Sequence, residues 1–372
     1  MRVRLLAADD LTPGDIADWA ELNERSAEPS PYADPRWMLP AARADGVGRD
    51  LRIAYLDDGA EPLVVLPVAP TRERVVDRVP VTVRAVSTDG SFFRRWGVRW
   101  YPIVAPEADV DTMVALLLGF RQAGISIVHV APLFVDSPVW EALNAAAASS
   151  GMPTIAGSIA RAPWAPPRSD LTSPLGPEGL VPTFTLAHWS DSSNKRLARY
   201  ARALERDLAG PLTLTIEPHA DAEFLHLQAA GWKGDVKAGG HAVLSTGMAE
   251  WFGEVADGFR GRGAWMMFRL GSAETTVHMY CCAALSSGVF GLHDAYDERF
   301  AHVHPGTLGR VAVQNAVVGS GRYFDPCLSA EYTEAGHQFA VSRNLSSLRI
   351  ATGASAARVA RTARAAGLSA WH

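Results

Sequence analysis

Apolar positions along this chain recur with two different spacings, and the segments that carry them follow one order twice. In the first half, Thr12-Pro13-Gly14-Asp15 supplies the cap, first-turn proline and early acid of a helix start, and Asp34-Pro35 repeats the device before a helix over 36–44. Apolar runs at 51–56 and 63–68 read as strands joined by the turn Asp57-Asp58-Gly59-Ala60, and a third strand is predicted over 81–86. A helix after Asp111, a strand over 125–130 and a helix after Ser137-Pro138 complete that half.

The second half repeats the order. Helical spacing over 249–259 is followed by strands over 264–270, 275–284 and 288–295, a helix over 305–318 and a strand that starts at 322–325. Between the halves, 161–182 is rich in Pro, Gly and Ser, whose prolines oppose regular helix. The expected fold class is therefore α/β (α+β), with tandem lobes over 1–160 and 183–372, a linker over 161–182, and in each lobe a mixed central sheet flanked by helices.

Composition narrows the function classes. The chain has 372 residues, 48% hydrophobic and 20% charged, which suits folded domains and excludes a disordered chain. A net charge of -5 gives the molecule as a whole no electrostatic attraction to nucleic acid or anionic membrane. Three cysteines are too few for a disulfide scaffold, and the adjacent Cys281 and Cys282 would point to opposite faces of one strand. No apolar run approaches the roughly 20 residues of a membrane span, and the N-terminus carries no signal-peptide pattern, so a cytoplasmic protein is expected.

Candidate chemistry concentrates between 193 and 325. On a helix over 194–208, Lys195, Arg199, Arg202 and Arg206 form one stripe, suited either to a phosphorylated ligand or to plain solvation. Gly231-Trp232-Lys233-Gly234 follows a helix over 222–230; Gly231 suits a left-handed cap, while Trp232 and Lys233 could wall a substrate site or simply stop the helix. His304, Gly306 and Thr307 flank Pro305 at the start of the helix over 305–318, where free amides and the positive helix end can seat a phosphate.

His293, Asp294, Tyr296 and Asp297 cluster at the end of the preceding strand, and Asp325 ends the strand expected beside it. Acyl transfer to an amine needs a base, for which Asp325 and His293 are the candidates, and a donor to the oxyanion, for which Tyr296 or backbone amides serve. Asp294 and Asp297 read as substrate-binding groups, although Tyr296-Asp297-Glu298 also suits a turn in which the Asp holds its own backbone. His293, Asp294, His302 and His304 lack the Cys or helical His spacing of a zinc site, so no metal is expected, and Cys327 reads as a buried thiol. The first half offers no comparable polar set beside its helix after Asp111.

The ordered set Ser193-Asn194-Lys195-Arg196, GWKG, YDE, His304-Pro305-Gly306 and Arg322-Tyr323-Phe324-Asp325, with 19–22, 31–37 and 63–67 in the first half, resembles the GNAT-superfamily acyltransferases of the CelD/BcsL type, relatives of the Fem-type aminoacyl ligases. The resemblance implies two GNAT-like lobes with the active site in the second. It also implies acetyl-coenzyme A or another acyl-coenzyme A as donor, with an amine or hydroxyl of a small molecule or glycan as acceptor. The basic helix and GWKG recur in that family, which favours ligand roles for Lys195, Arg199, Arg202, Trp232 and Lys233. The usual GNAT phosphate-loop signature, Gln or Arg followed at fixed spacing by two small residues, is missing. Two alternatives therefore stand beside the first reading: a Fem-type transferase using aminoacyl-tRNA, in which case nucleic acid is a partner, and a noncatalytic GNAT-like scaffold or sensor.

Overall fold

A computed structural model of the chain describes residues 1–59, 61–74, 82–171, 179–286, 288–328 and 337–365. Ala60, Val81 and residues 172–178 of the proline-rich stretch, all named above, lie outside the described residues. The backbone separates into two compact units, Met1–Ala162 with the chain from Arg343 onward, and Pro163–Ser342.

The first unit is built on one mixed sheet. Its strands are β1 (Arg2–Ala7), β2 (Arg52–Asp57), β3 (Pro62–Arg74), β4 (Thr82–Ser87), β6 (Ile127–Phe134), β14 (Val341–Ala351) and β7 (Thr154–Ala156), in that spatial order, with β5 (Ile103–Val104) on β3 and β8 (Ala160–Trp164) on β14. Helix α1 (Pro13–Arg25) starts in a full capping box between Thr12 and Asp15, and α2 (Pro35–Asp45) starts on the Asp34 side chain, as their sequences predict. Helices α4 (Val110–Gln122) and α5 (Pro138–Ser149) supply Met113, Leu116, Phe120 and Leu143 to a core shared with Val64, Leu66 and Val128.

The sequence boundary that assigned everything after 183 to the second lobe differs from this arrangement. Strand β14 lies between β6 and β7, with Ile350 opposite Val128 and Leu348 opposite Val130. The reason is burial: Leu345, Leu348 and Ile350 complete the core of the first unit, and β14 hydrogen-bonds the edge that β6 would otherwise expose. Helix α10 (Ala354–Ala365) follows, with Ala356, Ala357 and Ala360 buried against Ala85 and Ile127.

The second unit carries β13 (Tyr323–Asp325), β12 (Gly288–Tyr296), β11 (Thr276–Leu285), β10 (Trp265–Gly271) and β9 (Thr213–Ile216) in that order. Helices α6 (Asp191–Asp207) and α9 (Pro305–Gly319) cover one face, where Leu197, Leu204, Leu308 and Val311 meet Tyr280, Cys282, Val289 and Phe324. Helices α7 (Asp221–Ala230) and α8 (Ala249–Arg260) pack through Phe224 on Phe252 and Phe252 on Trp265. Cys281, Cys282 and Cys327 are buried free thiols. Among the described residues no helix is long and apolar enough to cross a membrane.

The expected internal repeat is present in the topology. In the first unit β2, β3 and β4 run antiparallel, α4 intervenes, and β6 lies parallel to β4. In the second, β10, β11 and β12 run antiparallel, α9 intervenes, and β13 lies parallel to β12. Ile350 tests the unforeseen return of the chain. Ile350→Ala removes a fully buried side chain from a central strand and is expected to cost about 2–5 kcal/mol in urea unfolding, whereas a strand frayed from the sheet would lose under about 0.5 kcal/mol.

Candidate functional site

Strand β12 carries most of the candidate residues, and its geometry separates them. A bulge at Leu292 sets Cys282 opposite Gly291 and Cys281 opposite His293, which re-aims the last residues of the strand. Strand β13 pairs with β12 only through Gly288, Val289 and Phe290, so the end of β12 runs on past that partner.

Asp294 faces the side covered by α9. Lys233 Nζ donates to its Oδ1 at 2.9 Å and to its backbone carbonyl at 2.6 Å, Arg310 Nε lies 3.1 Å from Oδ2, and His278 Nε2 lies 3.7 Å from the same oxygen. Burial alone would push this carboxyl up; the His278 ring and the charges of Arg310 and Lys233 outweigh it and hold Asp294 well below the usual carboxylate range. His278 is fully buried, and burial lowers its pKa against the pull of Asp294, so the ring is neutral at pH 7. Gly309 makes room for it, since a Cβ there would lie 2.1 Å from His278 Nδ1.

The GWKG and YDE blocks, separate in sequence, are folded onto one another. Besides the Lys233 contact, the Trp232 backbone N–H donates to Glu298 Oε1 at 2.6 Å. Gly231 is extended (φ -93, ψ -171), not the left-handed cap its sequence suggested, because the chain turns here onto Glu298. Gly234 allows the turn by close approach, as a Cβ would lie 1.9 Å from the Ala229 carbonyl oxygen. Trp232 stays 48% exposed with its ring edge-on to His241, so it is a surface plate and not a core residue. Asp297 accepts from the Arg299 backbone N–H at 2.9 Å and pairs with the Arg299 guanidinium; it holds its own turn. Tyr296 packs under Gly306, where a Cβ would lie 3.1 Å from the ring.

His293 and Asp325 are not gathered with Asp294. His293 sits edge-on to Trp251 of α8, and burial first, then the charges of Lys233 and His241, depresses its pKa to about 4. Asp325 is opposite Phe290, three residues or about 10 Å of strand short of His293. Its Oδ1 accepts from the Cys327 backbone N–H at 2.7 Å, and Cys327 is left-handed at φ 50, so this carboxylate braces a strained turn.

A cavity of about 690 Å³ opens at the start of α9. His304 and Thr307 line it from α9, Ser193, Arg196 and Tyr200 from α6, and His188 and His337 from flanking loops. His304 adopts φ 52, ψ 57 at the N-cap, with its ring 4.9 Å from that of Tyr200. Gly306 is buried against Tyr296 and does not line the cavity. The stripe Lys195, Arg199 and Arg202 is exposed and also outside the lining; Arg196, one position from Lys195, takes the place expected of it. Among the described residues no group of three or more His, Cys, Asp or Glu is placed to hold a metal.

Sequence reasoning missed Arg310 and His278, and it named Arg196 only within the motif that opens the basic helix. Arg310 left a signal, as the one charged residue of the fifteen in α9, a position that needs a partner if the helix is buried. His278 left none beyond its place in an apolar strand.

No family profile matches the chain, and no curated protein does. Solved structures do. FemX aligns with a TM-score of 0.53 at 10% identity, over 93% of this chain and 97% of that one. A conserved protein of unknown function from Bacteroides thetaiotaomicron aligns with a TM-score of 0.55 at 11% identity, over 92% and 98%. The chain has a GNAT-like fold, which it shares with FemX. The ordered motifs of the sequence therefore pointed to the right fold.

Two outcomes follow from the buried charges. His293 titrates near 6.5 in the unfolded chain and near 4 in the folded one, so its contribution is complete above pH 6.5 and is lost as pH falls through 4. Urea unfolding at pH 7 and pH 4 should differ by about 3 kcal/mol from this group, and His293→Phe should remove that part of the difference. Asp294→Asn strands Lys233 and Arg310 and is expected to cost about 3–5 kcal/mol at pH 7; a neutral substitution would show that the cluster is solvated.

Proposed function

We propose that this chain is an acyltransferase that moves an acyl group from acetyl-coenzyme A or another acyl-coenzyme A to an amine or hydroxyl of a small molecule or glycan. The observation that carries the reading is the cavity of about 690 Å³ at the start of α9, where Thr307, Arg196 and the positive end of a fifteen-residue helix meet. Its volume suits a cofactor-sized ligand, and Arg196 offers the bidentate donors that a phosphate accepts. Tyr200 and His304 add flat rings beside it.

The reaction needs no covalent enzyme intermediate. The acceptor nitrogen or oxygen attacks the thioester carbonyl, the oxyanion collapses, the thiolate leaves, and one proton passes from acceptor to a base and on to the leaving sulfur. Trp232, Lys233, Asp294 and Asp297 would stand near the acceptor, with Lys233 and Asp294 acting through the ion cluster that fixes the end of β12. Tyr296, beside the first turn of α9, would steady the oxyanion. Asp325 and His293 remain the alternative bases. Asp325→Asn keeps the oxygen that accepts the Cys327 N–H, so a fall in turnover of about 10²-fold at unchanged melting temperature would mark a base; full turnover would leave Asp325 as a turn brace.

The likeness to FemX over nearly the whole of both chains favours a second reading, in which an aminoacyl-tRNA brings the acyl group to the same cavity. Under either reading the protein would work in the cytoplasm, where both donors are made. Thermal shift separates the readings. Acetyl-coenzyme A or coenzyme A is expected to raise the melting temperature, Arg196→Gln to abolish the rise, and Arg199→Gln to leave it intact. A rise with bulk tRNA alone supports the Fem-type reading, and no rise with any of the three overturns both.

A further inference from the structure

The first unit holds a second cavity, of about 620 Å³, between β3, β4 and the loop that leads into α3 (Ser91–Trp96). It does not lie beside α4, where the sequence offered no polar set. Its floor is a linked group of side chains. The Asp89 backbone N–H donates to Ser87 Oγ at 2.9 Å, and Ser87 Oγ lies 3.1 Å from Nδ1 of the buried His129. The other ring nitrogen of His129 is Nε2. That buried nitrogen has no hydrogen-bond partner among the described residues. Glu73 closes the group, with Oε1 3.6 Å from His129 and Oε2 3.4 Å from Arg349.

The charges around this cavity cancel. Asp50, Glu73 and Asp89 stand against Arg74, Arg94 and Arg349, and Arg94 Nε is already 2.9 Å from Asp89. Such a lining carries no net charge to select an anion or a cation, yet it presents donors and acceptors at close quarters with the hydroxyls of Thr71, Ser87 and Ser91. Phe92, with Leu51 and Val47, gives one wall an apolar surface. The ligand that satisfies all of this is neutral, carries several groups that both donate and accept, and has an apolar face. We propose that this cavity is a binding site for a neutral sugar, separate from the acyl-transfer reading of the second unit.

Saturation-transfer NMR on the full chain, with glucose, N-acetylglucosamine and ribose as probes and inorganic phosphate and glycine as charged comparators, tests the assignment. At least one sugar is expected to bind. Asp50→Asn and Glu73→Gln should each weaken it about tenfold, the loss expected when one bond to a charged group is removed. Ala69→Phe should fill the cavity and abolish binding, and Arg196→Gln in the second unit should leave it unchanged. Should Ala69→Phe or Glu73→Gln lower the melting temperature, the exposed Asp50 decides the case. Three results overturn the proposal: no signal from any sugar at millimolar concentration, sugar binding that survives Asp50→Asn undiminished, or binding of phosphate or glycine with the sensitivity expected of the sugar.

Discussion

The second unit is organised around one ionised carboxylate. Asp294 on β12 meets Lys233 from the turn after α7, Arg310 from α9 and His278 from β11, so four elements share one charge centre. A buried carboxylate is costly unless compensated, and here two cations and a neutral ring compensate it. Removing any member leaves the others uncompensated, which makes the arrangement a constraint on register as much as a source of stability. It fixes how far α9 slides along β11 and β12, and Gly309 over His278 allows a close approach that a Cβ would block.

The position of α9 in turn sets the cavity at its start. With Gly306 seated on Tyr296, His304 and Thr307 are turned toward α6, and the same packing presents Arg196 and Tyr200 to them. The ion cluster and the cavity are thus coupled through the first two turns of one helix. His293 and Asp325 stand apart from both, one against α8 and the other in a braced turn.

The two units share an order of elements and differ in their completion. Each has three antiparallel strands, a helix and a parallel strand, but the parallel strand of the first is continued by β14 and that of the second, beyond β12, meets only the single bridge of Phe324 with Ala165 among the described residues. The extra strand gives the first sheet a buried centre at Ile350, while β12 in the second continues past a three-residue partner. A long stable sheet and a sheet with an open strand end are different uses of one plan.

The sequence by itself determined the local structure and the class of fold. The caps at Thr12 and Asp34, the strand runs before and after β12, and the Pro305 helix start all form as their residues dictate, because capping, proline and side-chain period act within a few positions. The ordered motifs also reached the GNAT-like fold. What tertiary structure decided was which of those residues meet. The choice of Arg196 over Lys195, Arg199 and Arg202 depends on how α6 is rolled against α9, a rotation set by the burial of Leu197, Ala201 and Leu204. The separation of His293 from Asp294 follows from strand alternation and the bulge, and the partnership of Lys233, Arg310 and His278 joins residues up to 77 positions apart. The return of β14 to the first sheet is of the same kind. Local preference cannot select among distant partners, whereas buried charge and buried apolar area are satisfied only by the assembled chain.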